Sequence, residues 1–187
     1  MTNPVIEAIR ARRSIRFYED RQVPDEMIKE LVELGQLAPN GMGLQSWHFT
    51  VVKNRALLTE ISESQKEIML ASGIPDAVEK ASAPDFDSFR HAPMAIILSG
   101  ETASRFHTAD CANAVTTMAL AAQSMGLATC YLAGFTKGFQ GPKGKELTDR
   151  LNLPDGFIPE FALAVGFKAE EPHERKPRRT DAVNYVD

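Results

Sequence analysis

Three guanidiniums and a hydroxyl fall within five residues near the start of the chain, at Arg12, Arg13, Ser14 and Arg16. Arginine offers forked donors and keeps its charge, so such a group can chelate a phosphate. Cations at the end of a helix also simply complement its dipole, and the segment taken alone favours that plainer reading. Phe17 and Tyr18 follow directly. Two rings there are expected to pull the chain back toward the core and keep Arg16 out of open solvent. A second candidate is the loop from Pro39 through Asn40, Gly41, Met42, Gly43, Leu44 and Gln45 to Trp47. It could present backbone N–H groups and the amides of Asn40 and Gln45 to a flat heterocycle, although a purely structural loop is the commoner explanation. Trp47 itself is expected in the core, with its indole N–H needing a partner.

A third candidate, Gly126 to Phe135, reads as a helix end, a buried strand and a small-residue turn. Ligands of α/β sheets often sit at the carboxyl ends of strands, and Ala133-Gly134 beside Tyr131 would let a ring approach the backbone closely. The bland alternative is a tight turn. The fourth is a basic tail, with His173, Arg175, Lys176, Arg178 and Arg179. A terminal charge run is ordinarily a solvated segment, but one that folds back could complete a phosphate site.

Bulk properties narrow the classes. The 187 residues suit one domain, 1–187, and a chain of this size buries roughly 70% of the surface its unfolded state exposes. A hydrophobic share of 43% and a charged share of 25% are ordinary for a globular domain. A net charge of −4 argues against a nucleic-acid surface, which needs a basic face. Cys111 and Cys130 lie in apolar runs without metal-ligand spacing, and are expected as buried reduced thiols. His48, His91 and His107 lack metal spacing too, and no GxGxxG, GxxxxGK[ST] or GxSxG occurs. The start of the chain has no signal-like apolar stretch, and the longest apolar run, Ala109 to Met125, is broken by polar residues, so neither export nor a membrane span is expected. The setting is expected to be cytoplasmic.

The elements that must position these residues can be read from punctuation and period. Asn3-Pro4 opens a helix expected to run to about Arg13, and Pro24-Asp25-Glu26 opens another that stops by Pro39. Trp47 to Val52 reads as a strand, and Asn54 caps the helix after it. Ser72 to His91 reads as short helices and loops. Met94–Leu98, Ala128–Leu132 and Phe161–Val165 read as buried strands, and Thr108 to Met125 as an alanine-rich helix stopped by Gly126. Gly138 to Gly144 reads as a turn and Lys145 to Leu151 as a short helix. The sheet has about four strands.

The order and separation of the four segments resemble the nitroreductase family of FMN-dependent enzymes over nearly the whole chain. The carriers are the arginine cluster, Ala38-Pro-Asn-Gly-Met-Gly-Leu-Gln-Ser-Trp-His-Phe49, Gly126-Leu-Ala-Thr-Cys-Tyr-Leu-Ala-Gly-Phe135 and the tail. The resemblance implies an α+β fold: a three-layer α/β/α sandwich with a mixed sheet, in a homodimer with FMN sites at the subunit interface. The helix from Thr108 would then form much of the dimer core. By position, Arg12 and Ser14 match phosphate-binding residues, Arg13 beside them is a further cofactor-binding candidate, and Arg16 matches a cation near the flavin N1/O2 edge, where it would bear on catalysis by favouring the anionic reduced flavin. Lys176 and Arg178 would close over the phosphate. Pro39, Asn40, Gly41 and Gly43 would reach the flavin from the partner, Gln45 would bond the ring, and Tyr131, Ala133 and Gly134 would line its other face. The implied chemistry is ping-pong transfer from NAD(P)H through FMN to small acceptors such as nitroaromatics or quinones. Dehalogenation, ring oxidation or flavin breakdown on the same fold, and a non-catalytic flavin-binding protein, are the alternatives. The chain is shorter than the larger members, so the insertion that shapes their substrate channel is expected to be reduced or rebuilt from Ser72 to Phe89, and the substrate preference stays open.

Overall fold

The computed structural model describes residues 2–172 and 174–186. Its elements, in chain order, are α1 (Pro4–Ala11), α2 (Asp25–Gln36), β1 (Trp47–Val52), α3 (Arg55–Ala71), α4 (Pro75–Ala81), β2 (Met94–Glu101), α5 (His107–Ser124), β3 (Ala128–Leu132), α6 (Gly144–Asp149) and β4 (Phe157–Gly166). Two short 3-10 turns, Gly41–Gly43 and Gly134–Phe139, lie in the loops singled out above.

Helix starts follow local chemistry. The Asn3 side chain accepts the Ile6 N–H at 3.0 Å with Pro4 at the first helical position, and Asn54 accepts the Leu57 N–H at 3.2 Å. The end of α5 is equally local. Gly126 turns left-handed (φ 75°), and Leu127 donates its N–H back to the Ala122 carbonyl at 2.8 Å, which satisfies carbonyls the helix cannot. That turn feeds β3 directly.

The sheet runs β1-β2-β4-β3. Along β2 the side chains alternate between two buried clusters. Met94, Ile96 and Leu98 join Leu31, Cys111, Val115 and Met118 beneath α2 and α5, whereas Ala95 and Ile97 join Leu58, Ile61, Phe89, Phe135 and Leu147 on the other face. A period of two buried on both faces is what a sheet between helical layers requires. Each fully buried aliphatic chain contributes about 1.5–3 kcal/mol. The four strands pair antiparallel throughout. Parallel pairing, the other component of a mixed sheet, comes from one isolated bridge between Ser14 and Thr129.

Three expectations are revised. The first helix ends at Ala11, because Arg12 adopts φ −55°, ψ 129° and the chain becomes extended in order to pair with β3. Of the two rings after Arg16, only Tyr18 turns inward; Phe17 is 55% exposed, and Arg16 is exposed as well. The last strand starts four residues earlier than expected, at Phe157. Pro159 masks that start in the sequence, since proline cannot donate to a ladder, and the register shift between Leu98 and Ser99 accommodates it.

Candidate functional site

The residues from Arg12 to Arg16 are fastened to β3 at their centre. Ile15 donates its N–H to the Thr129 carbonyl at 2.8 Å, its side chain is buried, and the Tyr18 hydroxyl donates to the Ile15 carbonyl at 2.9 Å. Burial pushes the Tyr18 phenol well above its ordinary value, so it stays a donor. Alternation around Ile15 leaves Ser14 and Arg16 directed away from the core, both at least partly exposed.

Three guanidiniums act on one point of β3. Burial pushes the Cys130 thiol up, and the opposing influences come from Arg16, Arg90 and Arg12. Among the described residues none of these three arginines makes an ion pair. The tail adds a fourth cation. Arg175 donates to the carbonyl oxygens of Arg10 and Arg12 at 2.8 and 2.9 Å, which folds the tail back over the end of α1. Partial desolvation, then Arg178, Arg13 and Arg12, hold this guanidinium below its ordinary value. Like charges gathered in this way call for an anion.

Beyond Cys130, the strand ends at the turn Ala133-Gly134, where both residues are exposed. A Cβ built on Gly134 would find only the Gln65 Nε2 at 3.5 Å, so a flat group can approach this backbone. Gln65 is buried and accepts the Ser88 hydroxyl at 2.5 Å. A cleft of about 160 Å³ here is lined by Gln65, Asp87, Arg90, Tyr131, Ala133 and Gly134 among others, and one of about 150 Å³ by Arg13, Ser14, Arg16, Phe17 and Glu170 among others. Neither reaches the several hundred Å³ typical of a cofactor pocket.

The Pro39–Gln45 loop lies elsewhere. It leads into β1, at the opposite sheet edge from β3, about 14 Å away across three strand spacings. There it is shaped by α5. Buried Asp110 accepts the Gly41 N–H at 2.8 Å and the Ser46 hydroxyl at 2.6 Å, and Asn113 donates to the Pro39 carbonyl at 3.0 Å. Asn40 uses its side-chain oxygen internally, accepting the Gln45 N–H at 3.0 Å, and Met42, Gly43 and Gln45 are all left-handed. One chain therefore brings together Arg12, Ser14, Arg16, Tyr131, Ala133 and Gly134, and leaves the loop apart.

The sequence profile of the nitroreductase family matches residues 9–167. The chain belongs to the nitroreductase family. A Methanothermobacter thermautotrophicus relative, whose name provisionally assigns it as an NADH dehydrogenase/NAD(P)H nitroreductase, is 31% identical over 91% of this chain and 81% of its own length. The NADPH-dependent FMN reductase of Bacillus subtilis is 30% identical over 94% of this chain and 70% of its own. A Bacteroides fragilis nitroreductase, solved with bound FMN, superposes over the full length of both chains with a TM-score of 0.91 at 31% identity.

Several groups in the chain escape sequence reading. Asp110 sits in an apolar run with no motif, 69 residues from the loop it shapes. Arg90 lies in a segment without periodic signal. Arg175 appears in the sequence only as one cation of the tail run, yet it makes the contact to the Arg12 segment; Lys176 makes no hydrogen bond or ion pair among the described residues, and Arg178 stands near Arg175. His173, also named in that run, lies outside the described residues. Among the described residues no group of histidine, cysteine and carboxylate side chains could hold a metal, and no helix is long and apolar enough to cross a membrane.

Proposed function

We propose that the chain is a one-domain, FMN-dependent oxidoreductase that passes electrons from NAD(P)H to nitroaromatic, quinone or similar small acceptors, as a cytoplasmic homodimer. The observation that carries this reading is the convergence of Arg12, Arg16 and Arg175, without carboxylate partners, on the β3 edge that ends at the open Gly134 backbone. This donor set fits FMN. Arg12, Arg13, Ser14 and the tail cations Arg175, Lys176 and Arg178 would hold the phosphate, and Arg16 would meet the ring's polar edge. Tyr131, Ala133 and Gly134 would offer it a flat backbone face.

Bound there, FMN supplies hydride transfer between nicotinamide and acceptor in two half-reactions at one exposed face, which gives ping-pong kinetics. The protein's share is to bind, orient and polarise. Arg16 is a permanent cation fixed by the Ile15 anchor, and so stabilises negative charge on a reduced ring without reorganising. No side-chain acid or base is required.

What one chain leaves unfinished supports the homodimer. None of α1 is buried, with Val5 66% and Ile9 51% exposed, and Leu37, Met42 and Leu44 stand out around the loop. Apolar surface of this extent marks an interface. Asn40, Gly41, Gly43 and Gln45 cannot cross their own sheet to the arginines, so a second copy would deliver Pro39 and these residues. Two free buried thiols suit a reducing compartment.

The test is a visible spectrum of the purified protein, followed by anaerobic addition of NADPH or NADH. A yellow protein bleached rapidly by a nicotinamide is expected. A colourless protein that takes up no added FMN overturns the reading, and one that binds FMN but resists both nicotinamides makes it a flavin carrier.

A further inference from the structure

Arg90 lies between α4 and β2, in a stretch with no motif. Its backbone is left-handed, with φ 61°, and that of His91 follows at 53°. Long L side chains rarely adopt this region. The turn is held by the Arg90 N–H on the Asp87 carbonyl at 3.2 Å and by His91 Nδ1 on the Asp87 carboxylate at 3.1 Å. The consequence is direction: Arg90 lines the cleft formed with Gln65, Asp87, Ser88, Tyr131, Ala133 and Gly134, and its charge opposes the burial that raises the Cys130 thiol.

That thiol cannot neutralise it, since burial keeps Cys130 protonated. Asp87 lines the same cleft but makes no ion pair with Arg90 among the described residues; its carboxylate faces His91 Nδ1 at 3.1 Å and accepts the Phe89 N–H at 2.6 Å. An arginine does not lose its charge. A fixed positive charge is therefore aimed at the same strand as Arg16, from another part of the chain.

We propose that Arg90 is a second cationic contact to the flavin ring, acting with Arg16 across the Tyr131–Gly134 turn to favour the anionic reduced cofactor over the neutral oxidised one. The inference rests on the FMN reading above. Two cations on one ring mean that Arg16 alone does not set the cofactor's potential, and that residues 82–91 help to tune it.

The experiment compares holo-protein carrying Arg90→Asn, Arg90→Gln or Arg90→Lys with the wild type, reading the two-electron midpoint potential and the affinity for oxidised FMN. Asparagine suits the left-handed backbone, so Arg90→Asn is expected to fold at least as well as wild type, and Arg90→Gln removes the charge independently. Both should lose about tenfold in preference for reduced over oxidised FMN, which for a two-electron couple is a potential about 30 mV more negative. Arg90→Lys should recover most of that shift. A wild-type potential in both neutral variants, or a lysine variant as low as they are, overturns the proposal. Failure of the wild-type protein to take up FMN is seen before any variant is made, and refutes the underlying reading instead.

Discussion

The carboxylate of Asp110 accepts the backbone N–H of Gly41 at 2.8 Å, joining the first turn of α5 to a loop 69 residues earlier in the chain. Its other oxygen takes the Ser46 hydroxyl at 2.6 Å, and the residue is only 1% exposed. Removing the carboxylate leaves two donors unsatisfied. Asp110→Ala should therefore cost about 2–4 kcal/mol, read as a lower urea midpoint, with faster amide exchange at Gly41. An unchanged midpoint would mean that the loop is held by other contacts.

Gly134→Ala separates packing from binding. The added methyl would meet only the Gln65 Nε2 at 3.5 Å, an ordinary contact. The melting temperature should stay within about 2 °C of wild type, as expected for a substitution that neither clashes nor opens a cavity. FMN uptake should nonetheless weaken, because the ring would lose its close approach to the backbone. Equal uptake by both proteins would move the ring away from this turn.

Arg12→Ala removes a charge from the proposed phosphate site. A charge-assisted hydrogen bond is worth about 1.5–3 kcal/mol, so the FMN dissociation constant should rise by about one to two orders of magnitude. Arg175→Ala acts on the same site through the tail, since Arg175 holds the Arg10 and Arg12 carbonyls. Limited proteolysis should cleave the tail of that variant sooner, and FMN should protect the wild type more than the variant.

Both thiols should be silent toward alkylating reagents near neutral pH and should react once the chain is unfolded. Burial pushes Cys111 up to about 12 from 9.0, and raises Cys130 as well. The sign for stability follows. Above pH 9 the unfolded chain releases these protons while the folded chain keeps them, so stability is full below that value and declines between pH 9 and about 12. The slope is about 1.4 kcal/mol per pH unit for each fully shifted thiol. A urea midpoint that is flat across this range would contradict the burial.

The layered fold was legible because its signals are local. Asn3-Pro4, Asn54 and Gly126 mark helix ends through their own backbone chemistry, and the bare apolar run at Met94–Leu98 is what a doubly covered central strand demands. Pro159 hid the start of β4, since its ladder defect is compensated by a register shift visible only in the partner strand.

The candidate site divides along the same line. Residue type alone determined that Arg12, Ser14 and Arg16 could hold an anion and that Ala133-Gly134 could admit a flat ring, because charge, donor geometry and the missing Cβ belong to each residue wherever it stands. Only tertiary structure decided which of these meet. The Ile15 bond to Thr129 puts the arginines on β3, the left-handed turn at Arg90 aims a cation at Cys130, and Arg175 reaches the Arg12 carbonyl 163 positions away. Those contacts join distant parts of the chain, where periodicity carries no information. The sheet order β1-β2-β4-β3 likewise decided that Asn40 and Gly41 lie on the edge opposite the arginines, because strand neighbours are chosen by packing and not by sequence order.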